Sequence, residues 1–257
     1  MAKVVAVCNQ KGGVGKTTTN VNLSACIADR GKKVCVIDID PQGNTTSGFG
    51  VDKNLLEYSI YDLLVDGVNI RKIIIETKYE NLDLVPSSSE LAGAEIELVS
   101  LDDRERKLKA AIDEIRDEYD YIFVDCPPSL GLLTINSLSA VDSVLIPIQC
   151  EYYALEGVSQ LMNTIHLVKQ NLNPELEIQG VVLSMFDGRT NLSIEVVQEV
   201  KNYFRGKVYT TIIPRNVRLA EAPSHGQPII YYDSKSKGAE AYSDLAEEFI
   251  EMEEDVI

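Results

Sequence analysis

Short β-branched runs alternate along this chain with longer amphipathic stretches. Lys3–Cys8, Val34–Ile39, Leu82–Pro86, Tyr121–Asp125, Val144–Ile148, Ile178–Ser184 and Val208–Ile213 read as strands. Several are apolar nearly throughout, the pattern of strands covered on both faces. Between them Thr17–Arg30, Arg104–Glu118, Leu155–Asn171, Ile194–Phe204 and Ala239–Glu254 read as helices, and Gly31 stands where the first needs a C-cap. Alternating β and α elements require crossover connections. They predict an α/β fold, a mainly parallel twisted sheet with helices on both faces. With no internal repeat, low-complexity tract or long linker, residues 1–257 are expected to form a single domain. Functional loops then belong at the carboxyl ends of the strands.

Composition narrows the setting. A chain of 257 residues buries roughly 70–75% of its unfolded surface and needs no disulfide or structural metal. Cys8, Cys26, Cys35, Cys126 and Cys150 are odd in number and contain no CxxC pair, which argues against a disulfide framework or zinc site. Met1-Ala2-Lys3 runs straight into Val4–Val7, unlike a secretory signal, and no apolar run approaches the ~20 residues of a membrane span. A cytoplasmic location is expected. With 24 Lys+Arg against 40 Asp+Glu, the net charge of -16 argues against a polycation, but leaves room for a local basic patch.

The strongest chemical signal follows the first strand. Asn9-Gln10-Lys11-Gly12-Gly13-Val14-Gly15-Lys16-Thr17-Thr18 lies between a strand and a helix, the setting of a phosphate-binding loop. Glycines let backbone N–H groups turn inward around a phosphate, and the helix N-terminus adds its positive dipole end. Gly12, Gly13, Val14, Gly15 and Thr18 are therefore expected around the nucleotide, with Lys16 on the β- and γ-phosphates and the Thr17 hydroxyl on Mg2+. A glycine-rich turn with incidental lysines is the plainer alternative; the flanking strand and helix weigh against it. The usual G-x-x-x-x-G-K-[ST] pattern has Gly where Gln10 stands, and a second lysine, Lys11, opens the loop.

Two further strands end in carboxylates. Asp38 and Asp40 alternate along one strand and so point to one side, which is unfavourable unless a cation such as nucleotide-held Mg2+ lies between them. An Asp-Pro turn opener is the alternative for Asp40-Pro41. Tyr121–Asp125 is an apolar strand ending in Asp, a Walker B form, so Asp125 should face the Mg2+ shell. Cys126, with no activating histidine nearby, reads as packing, and His225 as an ordinary loop histidine.

Lys11-Gly12-Gly13-Val14-Gly15-Lys16-Thr17-Thr18 resembles the variant Walker A motif of the MinD/ParA ATPases, a group with the P-loop NTPase fold. The resemblance implies that Lys11 reaches across a nucleotide-sandwich homodimer, formed on ATP binding, to the partner's phosphates. Asp38-Ile39-Asp40-Pro41-Gln42 resembles the segment whose second Asp positions the attacking water. That role falls to Asp40, with Asp38 and Asp125 supporting the metal through water. Pro41–Asn44, Leu91–Glu95, Glu151–Gly157 and Ile213–Ser224 look like the chromosomal ParA/Soj branch, and the similarity covers nearly the whole chain. No separate helix-turn-helix domain of the plasmid autorepressor type is expected. Pro214 and Asn216 match the adenine pocket, and Arg189 and Arg218 match DNA-contacting arginines.

Family members bind double-stranded DNA without sequence preference as ATP dimers, associate with the nucleoid, and release DNA when a ParB-type centromere-binding protein stimulates hydrolysis. Local charge agrees. Residues 189–218 carry Arg189, Lys201, Arg205, Lys207, Arg215 and Arg218 against Glu195 and Glu199, a net of +4, although ordinary solvated charge is the alternative. A MinD-type membrane-recruited ATPase needs a basic amphipathic C-terminal helix, whereas six of the last eleven residues are acidic and none is basic. An electron-transfer role like that of the nitrogenase iron protein needs exposed cysteines to hold a cluster. The expectation is an ATPase without membrane affinity.

Overall fold

A computed structural model describes residues 1–254; Asp255, Val256 and Ile257, the end of the acidic tail, lie outside the described residues. In chain order the elements are β1 (Lys3–Val7), α1 (Lys16–Asp29), β2 (Val34–Asp38), α2 (Asn44–Gly48), β3 (Ile75–Glu76), β4 (Leu82–Val85), α3 (Leu91–Leu98), α4 (Lys107–Ile115) and β5 (Tyr121–Asp125). Then come α5 (Leu132–Ala140), β6 (Ser143–Gln149), α6 (Val158–Asn171), β7 (Glu177–Phe186), α7 (Asn191–Phe204), β8 (Val208–Pro214), α8 (Val217–Glu221), α9 (Ile229–Tyr232) and α10 (Lys237–Glu254). One sheet runs β3-β4-β2-β5-β1-β6-β7-β8. Every neighbouring pair is parallel except β3 with β4.

The apolar runs are explained by burial on both faces. Val4, Ala6 and Cys8 point into a layer with α3 to α7, while Val5 and Val7 point into a layer with α1 and α10. In the second layer, Phe249 of α10 meets Phe123 at 5.6 Å and Tyr121 at 5.7 Å between ring centroids. Fully burying such a ring contributes about 2–3 kcal/mol. The edge strand β8 is covered by α10 as well: the Glu248 carboxylate accepts from the Thr210 and Thr211 N–H groups at 2.6 and 2.9 Å.

Gly31, at φ 79°, takes the expected left-handed turn that ends α1. The departures from expectation have local causes. Helix α5 has little amphipathic signal because it is buried nearly all round, from Leu133 and Thr134 to Asn136–Ala140. Its Ser137 and Ser139 hydroxyls are satisfied within the helix, donating to the Leu133 and Ile135 carbonyls at 2.9 and 2.7 Å. Helix α6 begins at Val158 rather than Leu155, after a run of turns that ends at Gly157. Strand β3 spans two residues, too short for any periodicity to register.

Parallel register places the functional ends together. Val7 pairs with Asp125 and Asp38 pairs with Asp125, so the loops after β1, β2 and β5 leave the sheet side by side.

Candidate nucleotide site

The loop after β1 is held at several points and left open in the middle. Asn9 anchors its start, donating from Nδ2 to the Pro147 carbonyl at 2.7 Å and accepting from the Lys11 N–H at 3.0 Å. Ser184 of β7 donates to the Val14 carbonyl at 2.8 Å. Gln10, which replaces the usual glycine, reaches out to Gln160 of α6 at 2.5 Å. Gly13 and Gly15 adopt φ of 76° and 91°, a region side chains avoid, so the loop can fold back with its N–H groups inward. Among the described residues no side chain caps α1 at Gly15. Its first N–H groups are thereby available to an anion. Lys16, only 7% exposed, lies over the loop with Nζ donating to the Lys11 carbonyl at 3.3 Å.

Asp125, fully buried, faces this loop. One carboxylate oxygen accepts from the Thr17 and Thr45 hydroxyls, both at 2.8 Å. The other is buried with no partner among the described residues. Asp38, its neighbour across the strands, accepts from the Thr46 N–H and hydroxyl at 2.8 and 2.7 Å. Burial pushes both carboxyls up, and the Asp38 charge raises Asp125 further. Asp40 is brought near by a different route from the one expected. Strand β2 stops at Asp38, and Asp40 sits in the following turn, its carboxylate accepting from the Gln42 N–H at 2.9 Å. Its own N–H donates to Asp38 Oδ1 at 3.3 Å.

This donor set fits a magnesium ion carried by a nucleotide. Among the described residues no cluster of three or more His, Cys, Asp or Glu is arranged to hold a metal alone. Magnesium is commonly bound by one or two carboxylates together with nucleotide phosphates. An orphaned buried carboxylate oxygen beside a hydroxyl and a second carboxylate suits that arrangement.

The other expected site residues lie farther from this loop. Pro214 ends β8, and Asn216 caps α8 by accepting from the Arg218 N–H at 2.8 Å. A cavity of about 430 Å³ adjoins Thr17 and Thr18, yet it is lined by Asn22, Asn44, Pro223 and Gln227 rather than by Pro214 or Asn216. A larger one, about 710 Å³, flanks the Asp40 turn at Pro41, Gln42 and Ser88. The six basic residues of 189–218 divide between the two ends of the sheet. Arg189, Arg215 and Arg218 follow the carboxyl ends of β7 and β8, whereas Lys201, Arg205 and Lys207 lie where α7 ends and β8 begins. Each rim arginine has an acidic neighbour: Arg189 with Asp187 at 2.6 Å, Arg215 with Glu151 at 3.1 Å, Arg218 with Glu221 at 2.8 Å and Asp233 at 3.3 Å. The Arg189 side chain and N–H hold the Asp187 carboxyl down at about 2. The +4 therefore belongs to the segment and not to one face.

All five cysteines are buried and free. The Cys126 thiol is pushed well above its usual range by its hydrogen bond with Cys8 and by burial, as packing cysteines are.

An uncapped glycine loop, a buried lysine over it and a strand-end aspartate facing its threonine define a P-loop ATPase that works on ATP with Mg2+. Residues 2–178 match the AAA domain family model. The chain is 62% identical over 248 residues to the sporulation initiation inhibitor protein Soj of Bacillus subtilis, covering 96% of this chain and 98% of that one. It is 51% identical to the chromosome partitioning protein ParA of Myxococcus xanthus, covering 98% and 89%. A structure of cobyrinic acid a,c-diamide synthase from Mycobacterium smegmatis, with ADP and magnesium bound, matches at TM-score 0.85 and 37% identity, covering 96% and 93%. The chain belongs to the ParA/Soj family of partition ATPases.

Proposed function

We propose that this protein is an ATP-driven DNA-segregation switch in the cytoplasm, working on the nucleoid. The observation that carries the reading is a shared edge. The phosphate loop, Asp38, Asp40 and Asp125 stand at the same carboxyl end of the parallel sheet as Arg189 and Arg218. Closing two copies over their nucleotides would therefore place two arginine rims in one assembly. Paired weak sites bind far more tightly than single ones, which makes DNA retention conditional on ATP.

Magnesium bound with the nucleotide would supply charge neutralisation at the phosphates. In this reading the Thr17 hydroxyl would hold it directly, with Asp38 and Asp125 acting through water. The N–H groups of Gly12 to Thr18 and Lys16 hold the phosphates, while Pro214 and Asn216 border the adenine. Lys11 crosses to the partner's nucleotide. Asp40 orients the attacking water, its carboxylate already aimed by the Gln42 N–H. A ParB-type centromere-binding protein speeds hydrolysis and so releases DNA. Membrane recruitment lacks support: the outward residues of α10 include Glu240, Asp244, Glu247, Glu251 and Glu254, which anionic lipid repels. Among the described residues no helix is long and apolar enough to cross a membrane.

The test is Arg189→Glu combined with Arg218→Glu. DNA retention with ATP should fall at least tenfold at about 100 mM salt, while ATP-dependent dimerisation persists. Unchanged retention would place the DNA face elsewhere.

A further inference from the structure

Thr46 and Ser87 lie outside every motif that the sequence singles out, yet they connect Asp38 at the end of β2 with Asp40 in the turn that follows. The Thr46 hydroxyl donates to Asp38 Oδ2 at 2.7 Å and accepts from the Ser87 N–H at 3.0 Å. The Ser87 hydroxyl in turn donates to the Asp40 carbonyl at 2.7 Å, and the Asp40 N–H returns to Asp38 Oδ1 at 3.3 Å. The four residues form a closed hydrogen-bonded ring. Asp38, Thr46 and Ser87 are fully buried and Asp40 is 6% exposed, so water does not compete for these bonds.

We propose that Thr46 and Ser87 are positioning residues for ATP hydrolysis, their hydroxyls fixing Asp38 and the Asp40 backbone relative to one another. This rests on the reading of Asp40 as the residue that orients the attacking water. The ring joins three separate pieces of chain: the end of β2, helix α2, and the segment that follows β4. Ser87 is itself fixed from outside, because the preceding Pro86 carbonyl accepts from the Ile60 N–H at 2.9 Å. The position of Asp40 is therefore referred to the sheet through β4 as well as through its own strand.

A purely structural role predicts a different pattern of losses. The Asp40 carbonyl also accepts from the Gly43 N–H at 2.9 Å. Removing the Ser87 hydroxyl thus leaves no buried acceptor unpaired, so folding should be little affected. What is lost is one of the two bonds to the Asp40 carbonyl, the one that ties it to the segment after β4. Misplacing a catalytic group by 1 Å costs on the order of 100-fold, and a smaller displacement correspondingly less. Thr46→Val is harsher, since it strands the Ser87 N–H and removes one donor from Asp38. Thr46→Ser keeps the hydroxyl and both its bonds.

The experiment is steady-state ATP hydrolysis by the full chain at saturating Mg2+, with melting temperatures recorded for each variant. Ser87→Ala should lower kcat about tenfold, leave KM for ATP within about twofold, and leave the melting temperature nearly unchanged. Thr46→Val should also lose kcat, and Thr46→Ser should recover most of that rate. Asp40→Ala is measured alongside. If it stops turnover while Ser87→Ala keeps the wild-type kcat, the positioning proposal is overturned and the Asp40 reading stands. If kcat and melting temperature fall in Ser87→Ala while KM rises, the ring is structural and the proposal is again overturned. If Asp40→Ala hydrolyses ATP at the wild-type rate, the Asp40 reading fails and takes the proposal with it.

Discussion

Replacing Asp125 with Asn should make the nucleotide-free protein more stable while depriving it of magnesium-dependent function. Asp38 and Asp125 are direct neighbours on adjacent strands, and both are fully buried. Adjacent strands stand about 4.8 Å apart, and two like charges at roughly 5 Å repel by about 3 kcal/mol at an effective dielectric of about 20. Partial protonation already relieves some of this, since both carboxyls are raised, by burial first and, for Asp125, by the Asp38 charge next. A net gain of about 2 kcal/mol is therefore expected, against an amide that still accepts from Thr17 and Thr45. For a chain of this size that is about 4–8 °C in melting temperature.

The assay is thermal unfolding in EDTA without nucleotide, then with Mg2+–ATP. The variant should melt higher than the wild type in EDTA and gain less from Mg2+–ATP. The pH dependence follows from the same pair. Groups whose folded pKa is raised take up protons on folding, so the wild type should gain stability as pH falls through the neutral range. That slope should be shallower in the variant. An Asp125→Asn protein that melts lower than the wild type in EDTA would refute the repulsion argument.

Two other substitutions probe the frame around the site. Lys16→Ala should abolish detectable nucleotide binding in equilibrium titration, because the buried lysine lies over the loop proposed to hold the phosphates; wild-type ATP affinity would remove the loop assignment. Glu248→Gln should destabilise the β8 edge by about 1 kcal/mol in urea denaturation, allowing for partial solvent exposure. Burial alone would raise the Glu248 carboxyl, but the Thr210 and Thr211 donors outweigh it and lower it. Its contribution is present above the ordinary glutamate pKa of 4.5 and is lost as pH falls through the lower folded value, so the two proteins should converge in acid.

Chemistry written in contiguous residues is legible in the chain. The phosphate loop and the strand ending in Asp125 each lie within about ten residues, and their flanking elements form as the pattern requires. Asp38 and Asp40 are legible as a pair for a partly mistaken reason: the strand ends between them, and a turn rather than the pleat brings Asp40 close. Thr45, Thr46 and Ser87 leave no trace, because a five-residue helix and a loop are too short to carry a period, and Ser87 meets Thr46 across 41 residues. Helix α5 escapes for the opposite reason, since burial on nearly all sides erases the contrast on which amphipathic patterns depend. Charge summed along residues 189–218 misleads in a third way. A parallel crossover carries the chain from one end of the sheet to the other, so neighbours in sequence become opposite poles in space. The acidic total of -16 is equally uninformative about the rim, where individual carboxylates face individual arginines.

The central claim is that ATP state governs DNA affinity through a dimer that hydrolysis dissolves. The most direct measurement is retention of non-specific double-stranded DNA by the wild type and by Asp40→Ala, each with ATP, with ADP and without nucleotide. The account predicts weak retention by both proteins with ADP or no nucleotide, and strong retention with ATP that persists in Asp40→Ala but decays in the wild type as ATP is consumed. Equal retention under all three conditions would contradict it.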